Sequence, residues 1–132
     1  MAQQETPQSR REEYLCIATR LVVKRRRDIV PFLFMTWRVT RQLRKSPGFV
    51  RHGLNAMMSQ RTFFTYTVWK DRASVNAFVR AEPHATAVRR MERWSGEGSA
   101  FAEWTSRDSG INWPEAFERL KSPTRYYRRR AT

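Results

Sequence analysis

TFFTYTVWKDRASVNAFVRAEPHA, residues 62–85, changes its period twice, and those changes decide the fold. From Arg61 to Trp69 the pattern alternates, with Phe63, Thr65, Thr67 and Trp69 on one face and Phe64, Tyr66 and Val68 on the other. This is the two-residue period of a strand. Both faces are bulky, so both need cover: helices can supply one side, and the other calls for a ligand or a second subunit. Lys70-Asp71-Arg72 then turns the chain, and Asp71 with Ser74 three residues on has N-cap spacing. Val75, Phe78 and Val79 mark a helical stripe. Glu82-Pro83 interrupts it, because a residue before proline is driven out of the α region. A further short helix opens at Pro83-His84, with Ala87, Val88 and Met91 expected to face inward, and Gly96 and Gly98 close it.

Working outward, YLCIATRLVV (14–23) reads as a strand and residues 29–45 as a helix, with Asp28 expected to cap it and Pro31 in its first turn. Val30, Leu33, Phe34, Trp37 and Val39 form the apolar face expected of that helix, and Ser46-Pro47-Gly48 stops it. A second strand is expected over 49–54, with 55–60 as a connection or an irregular continuation. A last strand falls at 99–105. INWPEAFERLK (111–121) reads as a short docked helix anchored by Trp113, Phe117 and Leu120. The order β-α-β-β-α-β, with a broken second helix, is the α+β ferredoxin-like pattern. The domain spans 14–121, between a polar arm at 1–13 and a basic tail at 122–132.

The 132 residues suit one domain, and 40% apolar content with eight Phe and five Trp suffices for a core. The single cysteine, Cys16, allows no internal disulfide and reads as a buried thiol in a reducing compartment. No stretch reaches the roughly 18 apolar residues of a membrane span, and MAQQETPQSRREE lacks the apolar core of a secretory signal. A cytoplasmic location follows by elimination. Lys and Arg total 26 against 12 acids, a formal +14. The densest runs are Lys24-Arg25-Arg26-Arg27 and Arg125 with Arg128-Arg129-Arg130. Such charge attracts nucleic acid, anionic membrane or acidic ligands. No zinc set, helix-turn-helix or phosphate-binding glycine loop accompanies it.

Three local features, the strand ending TVW, the acidic turn leading into AFVR, and the Pro-His helix start, resemble the dimeric α/β-barrel superfamily of antibiotic-biosynthesis-type monooxygenases and haem-degrading enzymes. TWRVTRQLRKSPGF and WKDRASVNAFV are similar to bacterial proteins grouped near spheroidene monooxygenase. The resemblance covers roughly residues 14–121 and implies a homodimer in which two sheets pair into a barrel and cover the aromatic strand.

His84 reads as a base, as a haem ligand through one ring nitrogen, or as a polar helix start. His52 alternates with Val50 and Leu54, reading as a proton shuttle facing a cavity or a dimer seam, or as strand packing. Trp37, Phe64, Tyr66, Trp69 and Trp104, with Phe63, line a pocket for a flat or oily ligand if one opens, and otherwise serve as core. Arg51, Arg61 and Arg80 lie near the rims, where one can neutralise an enolate or a propionate. The expected activity is monooxygenase-like, acting on or binding a hydrophobic or aromatic molecule, with haem and no cofactor equally open. A non-enzymatic haem- or ligand-binding dimer is the alternative, and a basic nucleic-acid-associated protein the second one.

Overall fold

The computed structural model describes residues 13–127. The expected N-terminal arm, apart from Glu13, and the Arg128-Arg129-Arg130 run lie outside the described residues. The elements are β1 (Tyr14–Val22), α1 (Ile29–Arg44), β2 (Phe49–Met57), β3 (Thr62–Trp69), α2 (Arg72–Arg80), α3 (His84–Trp94), β4 (Ala100–Ser106), α4 (Trp113–Leu120) and β5 (Arg125–Tyr126). They build an antiparallel sheet in the order β2-β3-β1-β4-β5. The first four strands and their helical crossovers follow the ferredoxin-like order, and the sheet stays open, with edges at β2 and β5. β5 pairs with β4 and carries the fold beyond residue 121.

The alternation in β3 divides the core in two. Against α1, α2 and α3, the sheet buries Leu15, Trp69 and Phe63 with Leu43, Val75, Phe78, Val23 and Phe32. On the opposite face Cys16, Ala18, Phe64, Tyr66, Val68, Ala102 and Trp104 pack beneath Ala116 and Leu120 of α4. The cover expected from a ligand or a second subunit is therefore supplied by this chain's own C-terminal helix. Two features let α4 dock. Gly53 leaves room for the approaching segment, because a Cβ there would lie 3.2 Å from both Ile111 and Trp113. Arg20, projecting from β1, donates to the Leu120 carbonyl at 3.3 Å and to Gly98 at 2.7 Å. It thus places a cation at the helix end where carbonyls lack partners.

Helix signals hold at α2, where the Asp71 carboxylate accepts the Ser74 N–H at 2.8 Å. Asp28 does not cap α1: a 3-10 turn, Arg26–Asp28, leads in instead, and its carboxylate makes no capping bond. Glu82 takes a capping role for α3, accepting the Thr86 N–H at 2.8 Å. Val88, expected inside, is exposed, whereas Met91 packs against the core. β2 continues to Met57, past the expected end at Leu54. A register shift between Phe49 and Arg51 puts two β2 residues opposite one of β3, as in a bulge. His52 and Leu54 consequently share the face of Thr67 and Thr65, the side on which the helices pack, although Leu54 itself is exposed, while Val50 packs with the α4-side core. The expected alternation of His52 with Val50 fails at that bulge.

The largest departure concerns α1. Its buried residues are Phe32, Met35 and Leu43, with Val39 packed beside them. Val30, Leu33, Phe34 and Trp37, expected to face the core, point outward and are exposed. The helix carries two apolar stripes, and the sequence reading selected the wrong one for four of its five residues.

Candidate functional site

The proposed pocket residues separate into three places. Phe64, Tyr66 and Trp104 belong to the packed core under α4, where Tyr66 meets Trp104 edge-on at 5.5 Å and Trp113 at 5.8 Å. Burial, with Cys16 alongside, pushes the Tyr66 phenol up to about 12. Burial also raises the Cys16 thiol, which suits a packed side chain better than a nucleophile. Arg51 lies at the rim of this face and donates to the Ser109 carbonyl at 3.2 Å. Arg61 donates to the Val23 carbonyl at 3.1 Å, and Arg80 is exposed at the end of α2. Trp37 stands outside on α1, with the Arg41 guanidinium 5.0 Å above its ring.

Trp69, on the helix side, has a different setting. It is the centre of a column of rings: His52 to Phe49 at 5.7 Å, Phe49 to Trp69 at 5.8 Å, Trp69 to Phe78 at 5.2 Å, and Phe78 to His84 at 4.7 Å. The two histidines thus sit at opposite ends, with three rings between them. Trp69 is 1% exposed, and among the described residues its indole N–H meets no hydrogen-bond acceptor. Buried donors in folded proteins are nearly always satisfied, so this orphan needs a reason.

Above Phe78 the surface opens into a groove of about 570 Å³ between α1 and the α2–α3 joint. Phe78, Ala77, Ala81 and Pro83 give it an apolar floor. Arg38, Arg41 and Lys45 supply positive charge, and Glu82 is the acid among its lining residues. Gln42 ties the groove together: its amide donates to the Phe78 carbonyl at 3.0 Å and its side-chain oxygen accepts the His84 N–H at 2.9 Å. Phe78 thus forms groove floor on one side and touches Trp69 on the other.

His84 opens α3 behind this floor. Its Nδ1 lies 3.3 Å from the Val79 carbonyl, a contact that requires the proton on Nδ1 and leaves Nε2 with its lone pair. Burial lowers its pKa, against a smaller opposing effect of the Val79 carbonyl, so the ring is neutral at pH 7. The His52 pKa is also lowered, by burial first and then by Arg44. A haem held by His84 fits poorly. The imidazole packs against Phe78, and His84 is not among the residues lining the groove. Nor, among the described residues, do three or more His, Cys, Asp or Glu side chains gather as a metal site.

Sequence reasoning missed Gln42, Phe78 and the basic rim as site residues. Phe78 looked like any residue of an apolar helical stripe, and no local signal announces that α1 and α2 part above it.

No family model matches the chain, and no curated protein matches it. Solved structures do. SnoaB, a cofactor-independent oxygenase from Streptomyces nogalater, superposes with a TM-score of 0.61 at 18% identity, over 76% of this chain and 99% of that one. A protein described as an antibiotic biosynthesis monooxygenase gives 0.60 at 14% identity, over 74% and 99%. Rv0793 from Mycobacterium tuberculosis gives 0.60 at 11% identity, also over 74% and 99%. Each of these chains is matched almost end to end, while about a quarter of this chain lies outside the match. The chain therefore has the fold of the antibiotic-biosynthesis-monooxygenase-like proteins.

Proposed function

We propose that the protein is a monooxygenase-like enzyme that takes a flat, electron-rich aromatic ligand into the groove over Phe78 and turns it over against the Trp69 indole. The observation that carries this reading is the unsatisfied Trp69 N–H. A buried donor without an acceptor costs about 1–3 kcal/mol, and an oxyanion that develops on a substrate is an acceptor such a donor can serve. A ligand entering from the groove takes the place of the Phe78 ring against Trp69. The apolar floor and stacked rings favour a fused-ring phenol, and Arg38, Arg41 and Lys45 favour its phenolate form.

His84 is assigned as the base, since its neutral ring presents Nε2 and displacement of Phe78 uncovers it. His52, three rings away, cannot reach the same proton. The reaction balances without an added reductant. The phenol gives up its hydroxyl proton and one ring hydrogen, one atom of O2 becomes the new quinone carbonyl, and the other leaves as water. The similarity in fold to SnoaB, described as a cofactor-independent oxygenase, supports this class. A ligand-binding protein without turnover is the second reading, favoured by the absence of His84 from the groove lining. Oxygen uptake with 1-naphthol-type phenols separates the two. The enzyme reading predicts uptake that Trp69→Phe abolishes while the variant stays folded by circular dichroism; binding without uptake selects the second reading.

The proposal includes a homodimer paired along β2. That nine-residue strand is a sheet edge, with Leu54 and Met57 exposed and Arg51 as its one charged residue. An open apolar edge of this kind is where a second chain adds most readily. Among the described residues no helix is long and apolar enough to cross a membrane. The buried Cys16 thiol fits the cytoplasmic location included in this reading.

A further inference from the structure

Helix α1 has a second apolar stripe that the fold does not use. On the side opposite Phe32, Met35 and Leu43, Val30 is 75% exposed, Leu33 43%, Phe34 60% and Trp37 54%. Residues at this spacing lie together on one helical face. Phe34 and Trp37 touch, with ring centres 6.0 Å apart. Both ends of the stripe are basic. Arg25, Arg26 and Arg27 precede the helix, while Arg38, Arg41 and Arg44 follow within it, all exposed. The helix contains no Asp or Glu, and Asp28, just before it, is the nearest acid in sequence.

We propose that this outer face of α1 docks on an anionic phospholipid surface. Val30, Leu33, Phe34 and Trp37 enter the boundary between headgroups and acyl chains, and the flanking arginines rest on lipid phosphates. Helices that lie in the bilayer interface combine these two elements, an apolar stripe containing Trp or Phe and a basic border. Each basic residue near a negatively charged leaflet adds to the attraction. Here the opposite side of α1 is already packed on the sheet, so docking requires no unfolding.

Charge selects the occupant. A second copy on this face would set arginines against arginines on a chain that carries +14. Nucleic acid would satisfy the arginines but offers Val30 and Leu33 nothing to stack on. One face of the Trp37 ring is also already taken by Arg41 at 5.0 Å. Acyl chains accept aliphatic and aromatic side chains alike, and tryptophan favours the interface.

The test is co-sedimentation of the full chain with vesicles of phosphatidylcholine alone, or with roughly one-third phosphatidylglycerol, at about 0.15 M ionic strength. Two double variants accompany it. Val30→Ser with Phe34→Ser removes apolar surface at constant charge, and both positions are exposed, so the fold should survive, as circular dichroism will show. Arg89→Glu with Arg90→Glu lowers the net charge on α3, away from the stripe. Expected are binding to the anionic vesicles, binding at least about tenfold weaker to neutral ones, and a loss of about tenfold or more in the serine variant that exceeds the loss in the α3 variant. Anionic binding unchanged in the serine variant would mean general surface charge alone and overturns the proposal. So does failure to bind vesicles together with retention of single-stranded polynucleotide, or together with self-association that the serine variant abolishes. Failure to bind anything overturns it as well.

Discussion

His84 shows how a single side chain joins stability to the proposed chemistry. Its ring is packed on Phe78, and burial lowers its pKa below the ordinary imidazole value of 6.5. The unfolded chain takes up a proton as pH falls past 6.5, while the folded chain resists it. Stability is therefore fully present above the unfolded pKa and is lost as pH falls toward the folded one. His52 shifts in the same direction and adds to the trend. The midpoint of urea unfolding should accordingly drop between about pH 7.5 and about pH 5, and His84→Gln should flatten that drop. A midpoint equally pH-dependent in His84→Gln would show that this imidazole is not the residue responsible. Both histidines were visible in the sequence as the only two in the chain. Their separation by Phe49, Trp69 and Phe78 was not, because it arises from three elements meeting around one indole.

At the scale of elements, the sequence was informative wherever a local rule acts. The strict alternation of β3 places every side chain on its correct face, and Asp71 three residues before Ser74 gives the true start of α2. Asp71→Ala should cost about 1–2 kcal/mol, measured by chemical denaturation. The loss should exceed that of a simple N-cap, since the Ser74 hydroxyl also donates to this carboxylate, at 2.7 Å. Local rules fail where two solutions share one pattern. Helix α1 is apolar on two sides, and periodicity alone cannot say which side meets the sheet. The bulge in β2 likewise moves Val50 and His52 to opposite faces without any sequence signal. Gly53 tests the docking of α4 directly. Gly53→Val would press on Ile111 and Trp113, and should cost about 1–3 kcal/mol by overpacking. It should also increase proteolysis near residues 107–113, whereas unchanged stability and cleavage would mean that α4 is not seated through this glycine.

For the molecule as a whole, the sheet is covered on both faces within one chain. A barrel of two paired sheets is thus not needed to shield Phe64, Tyr66 and Val68. The proposed homodimer should instead depend on the β2 edge. Sedimentation equilibrium is expected to show a dimer that Leu54→Lys converts to a monomer, and a monomeric native chain would remove the dimer from the account. The groove and the indole beneath it carry the functional reading, and the chain's five tryptophans make the decisive measurement accessible. In a proton–nitrogen correlation spectrum, the Trp69 indole peak is identified by its absence in Trp69→Phe. On titration with a fused-ring phenol such as 1-naphthol, that peak should move downfield as the N–H gains an oxygen acceptor, with larger displacement than the other indoles. A phenol that binds in the groove and leaves the Trp69 peak in place would contradict the account.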